Sequence, residues 1–269
     1  MLRAIDVPQT TAQALNSLVR ARDVAVIAGG TTMMPRVQAG DSGIGALVSL
    51  GQLKLDRIEA KGERIVIGAA ATLAAMAEHK ALGFLAGAID SVGSPTLRNL
   101  ATIGGNLFMK QPYGDLAVCL LALDAEVTVI SKKGARKIPI ATFLAKGSGR
   151  DAIVTALSFM RPAKGSWFYR KAMRRAQNSA AIVTIAAHLP LTKGKIAEAR
   201  IALGGCGERP VRAKAAEQAL NGAKLDAASI STAAGLLAKD AKPFTDAYAS
   251  AWYRARVLPV HFRRAVLGE

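Results

Sequence analysis

Two glycine doublets are the residues of this chain best suited to holding a ligand. Ala28-Gly29-Gly30-Thr31-Thr32 ends an apolar run, and Thr102-Ile103-Gly104-Gly105-Asn106 lies further along. A pyrophosphate needs several backbone N–H groups to converge on it with no Cβ in the way. Glycine supplies this through positive φ and close approach. Flanking Thr and Asn side chains add hydroxyl and amide donors. Two such turns brought together could grip one dinucleotide from both sides. Ordinary turn punctuation explains either doublet alone equally well in a chain with 25 glycines. Neither matches the three-glycine dinucleotide fingerprint or a phosphate loop ending in Gly-Lys-Ser/Thr.

Thiol and metal chemistry have little to work with. Cys119 and Cys206 occur in unrelated contexts, and His79, His188 and His261 stand apart. No disulfide framework, iron–sulfur set or histidine metal site is expected, and two small buried thiols fit a reducing cytoplasm. The formal net charge is +17, a field that favours an acidic partner, nucleic acid or an anionic surface. From Arg161 to Ala197 no acidic residue occurs, while Arg161, Lys164, Arg170, Lys171, Arg174, Arg175, Lys193 and Lys195 do. A solvated basic face would explain that run as well. Aromatic residues make up only 5% of the chain and no stacking or zinc-finger motif is present, so no nucleic-acid partner is expected. No apolar stretch of roughly 18 residues suggests a membrane span. The opening Met1-Leu2-Arg3-Ala4-Ile5-Asp6 lacks the pattern of a signal peptide, and a cytoplasmic location follows as the expectation.

The elements that must position the doublets can be read from periodicity. A helix is predicted over Pro8 to Ala21, capped by Thr10 or Thr11, with Leu15, Leu18 and Val19 as its apolar stripe. Val24 to Ala28 reads as a buried strand, with further strands at Ala46 to Leu50 and Ile65 to Gly68. Thr72 should cap a helix over Leu73 to Glu78, and another is expected over Gly83 to Ser91. Asp115 sits where an N-cap belongs, ahead of Leu116, Leu120, Leu121 and Leu123. Ala125 to Ile130 and Arg136 to Ile140 suggest a hairpin around Lys133-Gly134, followed by a strand over Ala152 to Ser158. Arg161-Pro162-Ala163-Lys164-Gly165 is the best boundary. Beyond it, Trp167 to Lys171, Ala181 to Leu189 and Ile196 to Leu203 read as strands, with Lys193-Gly194 a turn. Helices are expected over Ala213 to Leu220, Asp226 to Leu237 and Tyr248 to Val266. Three strands and then three helices predict a small α+β domain.

Gly93-Ser94-Pro95-Thr96-Leu97-Arg98-Asn99, leading into Thr102 to Leu107, resembles the second flavin loop of a known family. This is the medium, FAD-binding subunit of the xanthine dehydrogenase and carbon monoxide dehydrogenase (molybdenum hydroxylase) family. Ala28-Gly29-Gly30-Thr31 resembles its first loop. Family-like segments continue in order: Pro112 to Leu116, Leu121 to Ala125, Phe168 to Lys171, Ile201 to Gly205, Arg209 to Ala213 and Tyr253-Arg254. The resemblance implies an α+β fold class. A two-part FAD-binding domain of vanillyl-alcohol-oxidase (PCMH) type would span residues 1–162. A small α+β C-terminal domain, a three-stranded antiparallel sheet plus helices, would span residues 163–269.

The same resemblance implies the roles of single residues. Ala28, Gly29, Gly30, Thr31 and Thr32, with Thr102, Gly104, Gly105 and Asn106, would hold the FAD pyrophosphate. Asp115 would accept hydrogen bonds from ribose or adenosine hydroxyls; a plain helix cap is its alternative. Lys171 would lie near the isoalloxazine edge, where its charge favours an anionic reduced flavin; membership of a basic strand is the alternative. Many relatives carry a small-and-histidine-rich stretch after Asn106, whereas this chain has Leu107-Phe108-Met109-Lys110-Gln111, with Phe108 or Tyr113 placed to shield the ring or to pack the core. The implied activity is oxidoreductase electron transfer with no catalytic residue in this chain. Electrons would come from the [2Fe–2S] clusters of a small subunit, and substrate would be oxidised at the molybdopterin of a large subunit. The assembly would be a dimer of heterotrimers, and the flavin would reduce NAD, oxygen, a quinone or another carrier. A stand-alone FAD oxidase, a basic nucleic-acid-binding module and a cofactorless assembly subunit are the alternatives.

Overall fold

The computed structural model describes residues 2–20, 22–176 and 178–269. The first lobe is a small parallel sheet in the order β1-β3-β2. It is built from β1 (Ala4–Asp6), helix α1 (Thr11–Leu18), β2 (Val24–Ile27), helix α2 (Met33–Gln38) and β3 (Ala46–Ser49). Thr10 is the residue that caps α1. Its hydroxyl accepts from the Gln13 N–H, and the Gln13 side chain accepts from the Thr10 N–H, a reciprocal capping box. The helix is shorter than periodicity predicted, Val19 is exposed, and Ala21 lies outside the described residues. Ala14, Leu15 and Leu18 pack with Val48, Leu50, Leu53 and Ile153 into a core of their own.

The second lobe begins with the hairpin β4 (Ile58–Lys61) and β5 (Arg64–Gly68). Helices α3 (Leu73–Glu78), α4 (Ala86–Asp90), α5 (Pro95–Arg98), α6 (Ile103–Asn106) and α7 (Asp115–Ala122) follow, the first capped by the Thr72 hydroxyl. The predicted helix over Gly83 to Ser91 opens instead as a 3₁₀ turn at Lys80–Leu85. There Leu82 and Leu85, three apart, fall on one buried face. The lobe closes with β6 (Glu126–Ser131), β7 (Gly134–Pro139), helix α8 (Ile140–Lys146) and β8 (Ala152–Met160), giving an antiparallel sheet β4-β5-β8-β6-β7.

The last part holds β9 (Trp167–Met173), β10 (Ala181–His188), the two-residue strands β11 (Leu191–Thr192) and β12 (Lys195–Ile196), β13 (Arg200–Gly204) and β14 (Val211–Arg212). Helices α9 (Lys214–Leu220), α10 (Ala227–Leu236) and α11 (Ala251–Leu267) follow. The main antiparallel sheet has four strands, β14-β13-β10-β9, where three were expected. The expected strand Ile196 to Leu203 is also divided, because Glu198 takes a positive φ between β12 and β13.

Every residue of α7 is buried, which explains its nearly unbroken apolar sequence. It packs on α4 and α8 of its own lobe and on β10 and β13 of the last part. The main core accordingly runs from Ile65 and Leu120 through to Ala186 and Ala202. A second core, around Val183, Leu203 and Phe262, lies between the four-stranded sheet and the last three helices.

Arg254 sits fully buried in that second part. Its guanidinium donates to the Ala181 carbonyl at 3.2 Å and to the Ile182 carbonyl, pairs with Asp246 at 2.7 Å and stacks over Phe244. Burial pushes the Asp246 carboxyl up, but the Ala249 and Tyr248 N–H groups and Arg254 more than offset it, so the acid is stronger than usual. Its contribution to stability is therefore complete above the ordinary carboxylate pKa of about 4 and disappears as pH falls through the lower folded value. Asp246→Ala is expected to lower stability at neutral pH by about 3 kcal/mol, because it leaves a buried cation without its counter-charge. Urea unfolding at pH 7 and pH 3 measures this, and the gap between variant and parent should narrow at the lower pH.

Candidate functional site

The two glycine turns meet at one cleft. Gly29 lies so close to the second segment that a Cβ built on it would fall 1.6 Å from the Leu100 carbonyl oxygen. Gly30 follows with φ +72°, a left-handed conformation that glycine adopts without strain. The Met34 N–H closes onto the Gly30 carbonyl at 2.8 Å and turns the chain into α2. Gly104 packs the other way, toward the core. A Cβ there would meet the Ala69 carbonyl oxygen at 2.6 Å, and the Gly104 N–H donates to that oxygen at 2.9 Å. Gly105 is exposed, and the neighbour its Cβ would crowd is the Thr102 hydroxyl at 3.0 Å.

This division corrects the expectation that both turns offer converging amides. The second turn is one turn of helix, and its N–H groups are already engaged. Ile103 donates to the Ala71 carbonyl, Gly104 to Ala69, Gly105 to the Thr102 hydroxyl and Asn106 to the Thr102 carbonyl. Gly29, Gly30, Thr31 and Thr32 differ. Among the described residues their four N–H groups have no hydrogen-bond acceptor. The amide cradle is therefore the first turn, and the second contributes a flat, side-chain-free surface at Gly105.

Asn106 is buried with its Oδ1 accepting from the Ala117 N–H at 3.1 Å, which helps cap α7. Thr32 reaches the unusual stretch after Asn106, its hydroxyl 3.0 Å from the Met109 sulfur. Phe108 is 61% exposed and meets Phe143 edge to face, so it is not core. The Tyr113 hydroxyl lies 2.5 Å from that of Tyr248, across from the first part to the last. This hydrogen bond, with burial, raises the Tyr113 pKa to about 12 and keeps the phenol neutral at working pH.

Asp115 is not the N-cap. Gly114 holds that position with φ +82°, and Asp115 is the first helical residue. Its Oδ2 pairs with the Lys171 ammonium at 2.8 Å, and its Oδ1 accepts from the Thr184 hydroxyl at 2.6 Å. Lys171 also donates to the Ser91 carbonyl at 2.9 Å, and both members of the pair have side chains only 5% exposed. The two residues assigned separate roles by sequence are thus one ion pair. Thr184 was missed, although a single hydroxyl in the apolar run Ala181 to Ala187 was the available signal. Both thiols are buried, which raises their pKa values and keeps them unreactive.

All eleven sequence-assigned residues line the same cleft, of about 930 Å³. Arg36, Arg150 and Tyr248 also line it and had not been singled out, and so do Arg174 and Arg175, which the sequence marked only as part of the basic run. Val24, Val26 and Ile27 form part of its apolar wall, which is why β2 is only half-buried where a buried strand was expected. Free amides, guanidinium groups and an apolar wall fit a molecule with both a phosphate group and a large ring system. Among the described residues no helix is long and apolar enough to cross a membrane.

The fold is that of an α+β protein with a cleft whose lining fits an elongated, phosphate-bearing molecule. The chain belongs to the molybdopterin dehydrogenase flavoproteins: residues 4–159 match the FAD binding domain in molybdopterin dehydrogenase, and residues 167–268 the CO dehydrogenase flavoprotein C-terminal domain. It is similar to the xanthine dehydrogenase FAD-binding subunit of Escherichia coli O157:H7, with 28% identity over 96% of this chain and 92% of that protein. It is 32% identical to the nicotinate dehydrogenase FAD-subunit of Eubacterium barkeri, covering 81% of this chain and 79% of that one. The structure of reconstituted CO dehydrogenase from Oligotropha carboxidovorans superposes with a TM-score of 0.90 at 26% identity, covering 99% of this chain and 96% of that chain. The protein is therefore an FAD-binding oxidoreductase subunit.

Lys171→Met should lower stability by about 3–5 kcal/mol by leaving Asp115 buried and unpaired. Adding Asp115→Leu should restore much of it, because an apolar pair of similar volume avoids the desolvation penalty. Thermal unfolding of flavin-free preparations measures both. Equal and additive losses would show that the pair is not coupled.

Proposed function

We propose that this chain binds one FAD noncovalently and relays electrons within a heteromeric molybdenum hydroxylase. The electrons enter from the [2Fe–2S] clusters of a small subunit, after a large molybdopterin-binding subunit has oxidised the substrate, in a dimer of heterotrimers. The observation that carries the reading is the row of four free amides at Gly29 to Thr32, set on a cleft that the second glycine turn also lines. Those amides hold the pyrophosphate, with Ala28, Thr102, Gly104, Gly105 and Asn106 shaping the surface against which it lies. Asp115 and Lys171, joined as one ion pair, border the same part of the cofactor rather than its adenosine and isoalloxazine ends separately: Asp115 keeps lone pairs for a hydroxyl, and Lys171 supplies positive charge beside the isoalloxazine. When bound, FAD supplies the ability to accept electrons singly and release them in pairs. The protein's part is to bind it, orient it and exclude water.

Two units, residues 1–162 and 163–269, carry these duties, a division supported by the separate family matches on either side of Arg161 to Gly165. A nucleic-acid module is not favoured, because the cleft is walled with apolar side chains and Phe108, Tyr113 and Tyr248 are the aromatics that line it. The +17 charge steers the chain toward more acidic subunits.

The purified chain should show a flavin absorbance spectrum with one FAD per chain, released intact on denaturation. Gly105→Leu should weaken FAD binding by at least about tenfold, as expected if a side chain displaces a contact of over 1.4 kcal/mol, with little change in unfolding midpoint. Gly104→Leu should instead lower the midpoint, because its Cβ meets Ala69. Full flavin occupancy in a folded Gly105→Leu protein would remove the cleft assignment. Assembly with the partner subunits should slow as salt rises, while the finished complex resists salt.

A further inference from the structure

Tyr113 and Tyr248 belong to different parts of the chain and meet hydroxyl to hydroxyl at 2.5 Å, with ring centroids 6.2 Å apart and edge to face. Tyr113 lies in the loop between α6 and α7, and Tyr248 in the segment between α10 and α11. Both side chains line the cleft, yet Tyr113 is 42% exposed and Tyr248 only half-buried. The contact therefore stands at the cleft mouth. Neither ring belongs to a hydrophobic core. Deeper in, Asp115, Lys171 and Thr184 already hold the two parts together with side chains almost out of water. The tyrosine bridge is not needed to dock them.

The backbone beneath each ring is fixed by contacts of its own. The Tyr113 N–H donates to the Lys110 carbonyl at 3.0 Å, and the Tyr113 carbonyl accepts from the Gln111 side chain at 2.9 Å. Gln111 is tied in turn to the last part, its Oε1 accepting from the Gly205 N–H at 2.6 Å. On the other side the Tyr248 N–H donates to the Asp246 Oδ1 at 2.8 Å, and Asp246 is held by the buried Arg254. Arg174 donates to the neighbouring Ala247 carbonyl at 3.3 Å. With both backbones anchored, the bridge opens by rotation of a side chain. Such a rotation breaks one hydrogen bond between neutral groups and one edge-to-face ring contact. Interactions of that size shift an opening equilibrium by roughly tenfold, enough to slow passage through the mouth. This chain supplies both hydroxyls, so the bridge forms before any ligand arrives.

We propose that Tyr113 and Tyr248 form a clasp at the cleft mouth that opens and recloses to let FAD in and out, and so sets the rate of cofactor exchange without contributing to its affinity. The inference rests on the cleft being the flavin site. A clasp that closes equally over the free and the loaded cleft slows association and dissociation by one factor, which leaves their ratio unchanged. A hydroxyl that touches the cofactor directly acts differently, since it slows dissociation alone. That contrast separates a gate from a binding group.

The test uses the full chain, stripped of flavin and recombined with FAD, as parent, Tyr113→Phe, Tyr248→Phe and the double variant. Phenylalanine keeps each ring and removes its hydroxyl, which guards the fold. Stopped-flow flavin fluorescence measures association, and transfer of FAD to an excess of a second flavin-binding apoprotein measures dissociation. Both rates should rise by the same factor, about three- to tenfold for one neutral hydrogen bond, with Kd unchanged within about twofold. Each single variant should match the double, because either hydroxyl alone has no partner. A rise in dissociation alone would make the hydroxyls binding groups and overturn the clasp. Unchanged rates would make the pair a plain seam contact, whatever the unfolding midpoint does, and overturn it equally. A second readout needs no flavin. In Tyr248→Phe the Tyr113 phenol should titrate below the parent's value of about 12, toward the ordinary value of about 10. An unshifted phenol would mean that the hydroxyls do not meet, and would remove the clasp alone. A shifted phenol in a protein that takes up no FAD would instead overturn the flavin reading, and the exchange role with it, so the two failures are distinguishable.

Discussion

The ion pair between Asp115 and Lys171 joins three pieces of chain that are distant in sequence. Asp115 begins the buried helix α7, Lys171 belongs to β9, and the Ser91 carbonyl that shares the ammonium follows α4. Thr184, on β10, brings in a fourth segment through the hydrogen bond its hydroxyl donates to Asp115. With both side chains almost out of water, neither charge is tolerable without the other. The pair therefore fixes how the last part sits against the first, and with that the shape of the cleft they line together. Tyr169 strengthens the same seam, its hydroxyl 2.9 Å from the Ser91 hydroxyl.

Close contact between chain segments does the corresponding job at the other wall. Gly29 against Leu100, Gly104 against Ala69 and Gly68 against Leu55 are all approaches that a Cβ would prevent. The glycines that look alike in sequence thus differ in purpose. Of the four in the doublets, Gly29 and Gly104 dock against neighbouring backbone, Gly30 provides a left-handed turn, and Gly105 leaves an open surface. Satisfying the amides of the second turn internally makes it rigid, while the first turn keeps its amides available. A cradle with one firm wall and one polar edge suits a cofactor that must be held in a single orientation.

Charge is distributed unevenly on this frame. Arg212 is spent within the fold, bidentate to Glu217, whose Oε1 also accepts from the Ile201 N–H, and Arg254 is spent on Asp246 and two carbonyls. Arg174, Arg175 and Arg264 are not paired within the described residues and gather where β9 ends. The basic run seen in sequence therefore contains both a buried structural charge, Lys171, and exposed ones at the edge of the cleft.

Local signals were sufficient wherever the physics is local. Thr72 before α3, the hairpin around Lys133-Gly134 and the apolar α7 were all legible, because caps, turn residues and periodicity act over a few residues. The family resemblance, spread over ordered motifs, likewise marked the residues that would surround one cofactor. The sequence could not tell that Asp115 faces Lys171, that the second turn's amides are already satisfied, or that Glu198 breaks a predicted strand. Pairings across 56 positions, as in Lys171 with Asp115, leave no periodic trace. The choice between a free and an occupied N–H depends on which carbonyl the fold brings alongside. Those choices belong to tertiary packing, since a backbone or charged group removed from water must find whichever partner the folded chain supplies.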